Sequence, residues 1–471
     1  MPERIGIGEL SVKVPTVSII GSGISGLTAA YELQKAGFQV TVLEAGSRVG
    51  GAMYSHSEGE WIAEFGPNSI LETHEKIKSL IHELELSEEV IYSGNLSSNR
   101  FIVKNNKLLP LPMSPISFFT SGLFSLRSKL NLFCEPFIPK CDNQKEETLA
   151  DFVRRRLGQN FLDYAVNPFI AGVYAGDPEY LSVKHALPKL YVLEQKYSSL
   201  IKGQIKKSKE PSAHGEIPRN KARMFSFKNG LKSLPETLAN QLQQKVQFDT
   251  KIDSIEKKEE NWVVCYRQNG EEHILMSSVL LYAGTAHQLP KLPIKNINLS
   301  FTENILHPPV SVLSMGYLRT QVKHPLNGFG MLIPEVEKMN ILGVLFMSSL
   351  FGGRAPKDHV LLTVFMGGTR QPHIALQPEE ERQIIAEKDL HTLLGINGAP
   401  SFIFHRQWEN AIPQYGIGYG EIKLSFHHLE KANPGLYFTG NYREGISVSD
   451  TILHAMKTAE IIKSTFNSKP I

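Results

Sequence analysis

Residues 16–44 read TVSIIGSGISGLTAAYELQKAGFQVTVLE. The order is strand, glycine turn, helix, strand, and the stretch ends on an acid. Residues 16–20 are a short β-branched run of the kind buried in a parallel sheet. Gly21, Gly23 and Gly26 fill the G-x-G-x-x-G spacing. The first permits a tight turn, the second lets a pyrophosphate approach the backbone, and the third lets helix pack on strand. A helix over 24–36 would aim its unpaired N–H groups at the phosphates. Gly37 suits its C-terminal cap, and 38–43 form the second strand. Glu44, 18 residues beyond Gly26, is placed to accept hydrogen bonds from a ribose diol. Strand, turn, helix and acid in one register point to a bound dinucleotide.

The residues just outside this unit indicate which dinucleotide. Glu44 is followed by Ala45-Gly46-Ser47-Arg48-Val49-Gly50-Gly51, and later by Glu64-Phe65-Gly66-Pro67-Asn68-Ser69. The glycine pair suits a second close backbone approach, and Arg48 offers a bidentate phosphate partner. Nicotinamide-binding Rossmann domains do not generally need this extension. It resembles the FAD-binding flavoproteins that include amine oxidases, phytoene desaturases and protoporphyrinogen oxidases.

At 471 residues the chain is too long for one core and suggests two or three domains. Its 41% apolar and 21% charged residues are those of a soluble globular protein. Fifty basic residues against 47 acidic give +3, which is no nucleic-acid signature. Cys134, Cys141 and Cys265 lack metal-ligand spacing and imply a reducing compartment. The first fifteen residues carry no apolar signal region, and no run approaches the ~18 apolar residues of a membrane span. A cytoplasmic protein without internal repeats is expected.

Further along, polar residues 92–100 mark a boundary, followed by a hairpin-like stretch at 101–107. Residues 110–138 then carry Phe118, Phe119, Leu123, Phe124, Leu126, Leu132, Phe133 and Phe137. Such a segment suits a bilayer interface, the wall of an apolar pocket or a packed helix pair. Residues 148–157 and 159–169 read as helices. The basic stretch 202–223 reads as a solvated surface loop. Strand-like alternation returns at 246–255, 262–267 and 279–283, and a strand-rich region runs from 309 to 368. Residues 435–460 repeat strand, glycine turn and helix.

Taken together, GSGISGL at 21–27, SSNRF at 97–101, AGVYAGDPEYLS at 171–182, IPQYGIGY at 412–419 and TGNYREGISVSD at 439–450 resemble the FAD-dependent, oxygen-using protoporphyrinogen oxidase family. Bacterial coproporphyrinogen oxidases of the same fold are related. Asp177 and Pro178 follow a bacterial-looking pattern. The resemblance implies an α/β protein, with a Rossmann-type FAD-binding domain of the amine oxidase/p-hydroxybenzoate hydroxylase type, a mixed-sheet substrate domain and a helical membrane-associated domain. Non-covalent FAD would be held by 14–90, 224–290 and 426–466. Residues 91–205 would form the helical substrate and membrane-associated part, and 291–425 the substrate-binding domain.

Carried over residue by residue, the resemblance places FAD on Gly21, Ser22, Gly23, Ile24, Ser25, Gly26, Glu44, Arg48, Gly50, Gly51 and Ala52. Gly66, Pro67, Asn68 and Ser69 would sit near the isoalloxazine, Ile252 against adenine, and Asn441, Ile446, Ser447 and Val448 on the closing turn. A helix beginning near Ser447 would turn its positive end toward the flavin N1–C2 region. Arg100 would pair with a porphyrinogen propionate, as a guanidinium fork suits. Gly172 and Ala175 would form a small-residue wall and Phe365 would pack on the opposite ring. No residue is expected to act as general base.

The implied reaction converts protoporphyrinogen IX to protoporphyrin IX in three two-electron steps through one FAD, with oxygen as acceptor and hydrogen peroxide as product. One clear arginine does not distinguish this substrate from coproporphyrinogen III. Partners implied are the porphyrinogen, molecular oxygen, a membrane surface met through 110–138, a ferrochelatase receiving the product, and a second copy of the chain; nucleic acid is not among them. The rival enzymes are an amine oxidase, which typically has a flavin-linked C-terminal cysteine where this chain's last cysteine is Cys265, and a carotenoid desaturase, which would leave Arg100 without a carboxylate. The rival binding protein, a prenylated-GTPase escort, would not need the complete phosphate fingerprint.

Overall fold

The computed structural model describes residues 14–94, 99–142, 145–208, 210, 215–218 and 221–467. Ser97 and Ser98 of the SSNRF motif lie outside the described residues, as do 209, 211–214, 219 and 220 of the basic stretch.

Strand Thr16–Ile20 sits inside a four-stranded parallel sheet in the order Leu436–Phe438, Val279–Tyr282, Thr16–Ile20, Gln39–Leu43. Val279–Tyr282 is buried throughout, as a strand covered on both faces must be. On one face the helices Ile24–Lys35 and Val448–Asn467 meet. Ala29 and Ala30 with Leu33 on one side, and Ala455 and Ala459 with Ile452 on the other, keep that cluster tight. Because all four strands run the same way, their carboxyl ends bring Gly21, Glu44, Ala283 and Thr439 to one edge. Three separate stretches of chain build this edge.

A three-stranded antiparallel sheet, Thr250–Lys258, Asn261–Gln268 and Glu271–Ser277, is appended beside it. Thr250 N and Oγ1 both donate to the Glu44 carbonyl, at 3.0 and 2.9 Å. The appended sheet is thereby tied to the end of the second strand.

The largest sheet has seven strands in the order Phe402–Trp408, Val310–Leu318, His359–Gly367, Ile341–Phe346, Gly330–Leu332, Arg100–Lys104, Lys107–Pro110. The hairpin-like stretch after residue 100 is therefore not part of a purely helical region. It pairs in parallel with Gly330–Leu332 and extends the sheet. One face, with Leu313, Met315, Met331, Val344, Val364 and Met366, forms a core with Ala386, Leu390 and Leu394 of helix Glu379–Leu394. The other face carries the registered row Ile102, Leu332, Gly343, Phe365, Val312, Arg406.

Helix Asn167–Tyr174 packs against this second face, and Phe118, Leu123 and Phe124 cluster with Ile102 and Leu332 at its far end. Helix Leu149–Leu157 is capped by Thr148, whose Oγ1 accepts from Asp151 N at 3.1 Å. The region expected as a helix at 159–169 is helical and runs on to Tyr174, with Gln159–Phe161 and Asn167–Tyr174 joined by the wider turn Leu162–Val166 and Pro168 in its last piece. The basic stretch does not begin as a loop. Helix Leu200–Lys207 forms because Ser199 caps it and Glu135 accepts from Leu200 N at 2.8 Å and from Ser199 Oγ at 2.6 Å. A distant buried acid reinforces the local serine cap that the charge run conceals. Among the described residues no helix is long and apolar enough to cross a membrane.

Candidate active site

The phosphate turn is built from what three glycines leave out. A Cβ on Gly21 (φ 105°) would stand 3.0 Å from Ala283 C and Gly284 N, and one on Gly26 would stand 2.1 Å from Gly21 O. Both positions require the missing side chain. At Gly23 a Cβ would meet nothing within 4 Å, so this residue faces open space. Gly50 is bridged to Gly23 from the other side. No side chain caps helix Ile24–Lys35, which leaves its first amides for an anion. Ser22 and Ser25 are buried beneath the turn.

Glu44 is fixed by its neighbours. Its Oε2 accepts from Ser22 N at 2.8 Å and Ser22 Oγ at 2.7 Å, and its Oε1 accepts from Gly46 N at 2.8 Å. Ile252, half-buried beside a β-bulge, lies on the strand tied to Glu44. Arg48 donates to Val49 O at 3.1 Å and Gly51 O at 2.9 Å, bracing the glycine pair, and lies over Tyr54. Ala52 is exposed, with its carbonyl against Gly66.

In the 66–69 turn, Asn68 Nδ2 donates to Gly66 O at 2.8 Å while its buried Oδ1 has no hydrogen-bond partner. Pro67 and Ser69 are half-buried. The closing turn is pinned by two stacked tyrosines from IPQYGIGY. Tyr415 OH donates to Asn441 O at 2.5 Å and accepts from Gly445 N at 3.1 Å; Tyr419 OH donates to Tyr442 O at 2.6 Å. Ile446 is half-buried on this turn, and Ser447 accepts from Asp450 N at 3.1 Å, capping the helix that starts at Val448. The open face of Gly23, the uncapped first helix and the orphaned Asn68 acceptor all fit FAD. Bound there, FAD supplies a two-electron acceptor.

Of the residues expected to meet substrate, Phe365 lies on the second face of the seven-stranded sheet, and Gly172 and Ala175 lie in and just after helix Asn167–Tyr174. Leu332, Leu345, Phe365, Phe404, Arg406 and Trp408 are only half-buried, although several stand mid-sheet. Phe365 packs with Ala171, Ala175, Val310, Val312 and Trp408. A Cβ on Gly172 would come 2.5 Å from Leu332 Cδ2, so a larger residue there would have to push that side chain aside. Ala175 takes a left-handed conformation (φ 49°) and accepts from Thr369 N at 2.9 Å. Gly172, Ala175 and Phe365 are thus brought together. Arg100 stands apart at the exposed edge, in register with Gly330 and two residues before Ile102, its guanidinium 5.1 Å from the Phe329 ring centroid.

Three features escaped the sequence reading. Trp408 Nε1 donates to Phe65 O at 2.9 Å, locking the large sheet to the 66–69 turn. Glu64, whose oxygens accept from Ser55 Oγ at 2.6 Å and Leu231 N at 2.9 Å, is pushed up to about 7 by burial. Arg406 lies over the Trp408 and Phe65 rings. The signal for Trp408 was its position four residues before IPQY; nothing local marks the other two. His307 is held down to about 4 by burial, and its Nδ1 lies 2.8 Å from Ile305 O, as suits a structural histidine.

The fold and cradle are those of a flavoprotein, and the chain belongs to the flavin-containing amine oxidoreductase family, which it matches over residues 24–463. Within that class it is 33% identical over 480 residues to protoporphyrinogen oxidase 2 of Arabidopsis thaliana, covering 96% of this chain and 94% of the relative. It is 27% identical over 457 residues to coproporphyrinogen III oxidase of Bacillus subtilis, covering 93% and 95%. The crystal structure of a protein from Exiguobacterium sp. 255-15 shares the fold, with a TM-score of 0.81 at 22% identity over 96% of this chain and 99% of that one.

Proposed function

We propose that this protein is an FAD-dependent oxidoreductase of heme biosynthesis that oxidises protoporphyrinogen IX to protoporphyrin IX, with oxygen as final acceptor. The observation that carries the reading is the half-exposed apolar face joined to a complete flavin cradle. Gly172 and Ala175 keep one side of the space thin enough for a flat macrocycle, and Phe365 offers a ring to stack on. Arg100 takes a propionate at the rim. The helices over the face exclude water, and the chain's task is to hold the macrocycle against the cofactor. On this reading Gly21 to Gly26, Glu44, Ile252, Asn68 and the 441–448 turn hold FAD.

Porphyrin fluorescence, with protoporphyrinogen and coproporphyrinogen offered in parallel to the yellow protein in air, tests this. Rapid signal from protoporphyrinogen is expected. Signal from coproporphyrinogen alone would move the enzyme to the other branch, and silence from both would overturn the substrate class.

We further infer a membrane face. Met113, Ile116, Phe119, Leu126, Leu130, Phe133 and Phe137 are exposed, at 80% for Ile116, 78% for Leu126 and 84% for Phe137. Only Leu123 and Phe124 of this segment turn fully into a core. Arg127 and Lys202 flank the apolar residues, and Lys202 lies over the Phe137 ring at 5.8 Å. Apolar side chains beside cations suit an anionic bilayer interface.

A further inference from the structure

Arg406 is a cation paired with no carboxylate among the described residues. It lies in strand Phe402–Trp408, and its pairing with Val312, itself opposite Phe365, puts it on the cavity face of the large sheet. Its guanidinium carbon is 4.4 Å from the Trp408 ring centroid and 5.4 Å from that of Phe65. Nε is buried without a hydrogen-bond partner, and among the described residues no carboxylate pairs with this side chain.

Its charged neighbour is another cation. Burial, and then the charge of Arg406, weaken the hold of Arg48 on its proton. Both guanidiniums approach Phe65, that of Arg48 at 5.6 Å from the ring centroid. Lys232 adds a third positive charge, 5.8 Å from the Tyr54 ring on which Arg48 also lies at 4.4 Å. Glu44 attracts Arg48, but Ser22 and Gly46 already occupy its carboxylate with three hydrogen bonds. Glu64, buried and bonded to Ser55 and Leu231, is not among the charges that act on Arg48.

Like charges brought together in a partly desolvated site repel, and the arrangement calls for an anion. The two arginines come from different parts of the molecule, Arg48 from the nucleotide fold and Arg406 from the large sheet. The Trp408–Phe65 hydrogen bond holds those parts in contact. We propose that Arg406 is a cofactor-binding residue contributed by the substrate sheet, and that with Arg48 it clasps a negatively charged oxygen of FAD. The bound cofactor then closes the large sheet onto the nucleotide fold. The inference rests on the flavoprotein reading and is independent of which porphyrinogen is oxidised.

Arg406→Gln and Arg406→Lys test it without substrate. The measurements are the Kd for oxidised FAD by flavin fluorescence, the rise in Tm on adding FAD to apoprotein, and the midpoint potential. If the pyrophosphate is the partner, Arg406→Gln raises Kd on the order of tenfold and shrinks the FAD-induced rise in Tm. If the partner is the ring oxygen that becomes negative on reduction, Kd holds and the potential falls. Either result supports the proposal, with Arg406→Lys intermediate. Unchanged Kd, Tm rise and potential overturn it, and a raised KM for porphyrinogen alongside them would assign Arg406 to the substrate.

Discussion

Single residues decide whether the cofactor and substrate are held. Gly23 faces open space, so Gly23→Val should leave the fold intact but block the phosphate. Purified variant protein is expected colourless, with a far-UV spectrum like that of the parent. Arg100→Ala should raise KM for porphyrinogen about tenfold while flavin content is unchanged, the loss of one charge-assisted contact at an exposed edge; an unmoved KM would remove the propionate role. Glu64 carries a pH signature. Its buried carboxyl is raised from 4.5 to about 7, so its contribution to stability is fully present below pH 4.5 and lost as pH rises through 7. The loss is on the order of 3 kcal/mol. Glu64→Gln cannot ionise there, so unfolding between pH 5 and 8 should show the parent losing stability relative to the variant as pH rises. The glycine spacing was legible because each glycine serves its own turn. Arg406 and Glu64 were not, because their meaning comes from partners such as Phe65, Ser55 and Leu231 that only the folded chain brings near.

Elements position these residues, and the sequence was read best where an element's signal is local. The strand Thr16–Ile20, and the helix Ile24–Lys35 with Gly37 (φ 86°) after it, follow from burial pattern and caps within a few residues. Helix Leu200–Lys207 hides behind its charge run, although its Ser199 cap is local, and Glu135 reinforces that cap from a distance. The hairpin ending at Pro110 was recognised, but its parallel pairing with Gly330–Leu332 spans more than two hundred residues of chain. The closing turn is an intermediate case: its motif was visible, while its two tyrosine pins were not. Tyr415→Phe removes the hydroxyl that joins Asn441 O to Gly445 N. That change should cost about 1–2 kcal/mol and loosen the turn. Faster FAD release on dilution, with little change in Tm of the apoprotein, is the expected result.

At the scale of the molecule, the apolar segment 110–138 had three readings: membrane interface, pocket wall and core. Exposure weighs against the core reading. A core segment would bury most of its large side chains, yet Ile116, Leu126 and Phe137 stand in solvent while Leu123 and Phe124 anchor the helices from beneath. Phe365, Val310 and Val312 pack instead with Ala171 and Ala175, the cluster proposed above as the pocket wall. An exposed apolar face of this kind needs a partner, and the neighbouring Arg127 and Lys202 favour an anionic one. Sedimentation with vesicles containing anionic lipid should therefore carry the protein down, more weakly at high salt. The triple change Ile116→Ser, Leu126→Ser, Phe137→Ser should weaken binding by at least about 100-fold, since each side chain contributes roughly 1.5–3 kcal/mol when buried in an apolar phase. Tm should hold, because none of the three is in a core. Loss of Tm with unchanged vesicle binding would return the segment to the core reading. A substrate face covered by the same helices would then have to draw its porphyrinogen from water rather than from the bilayer.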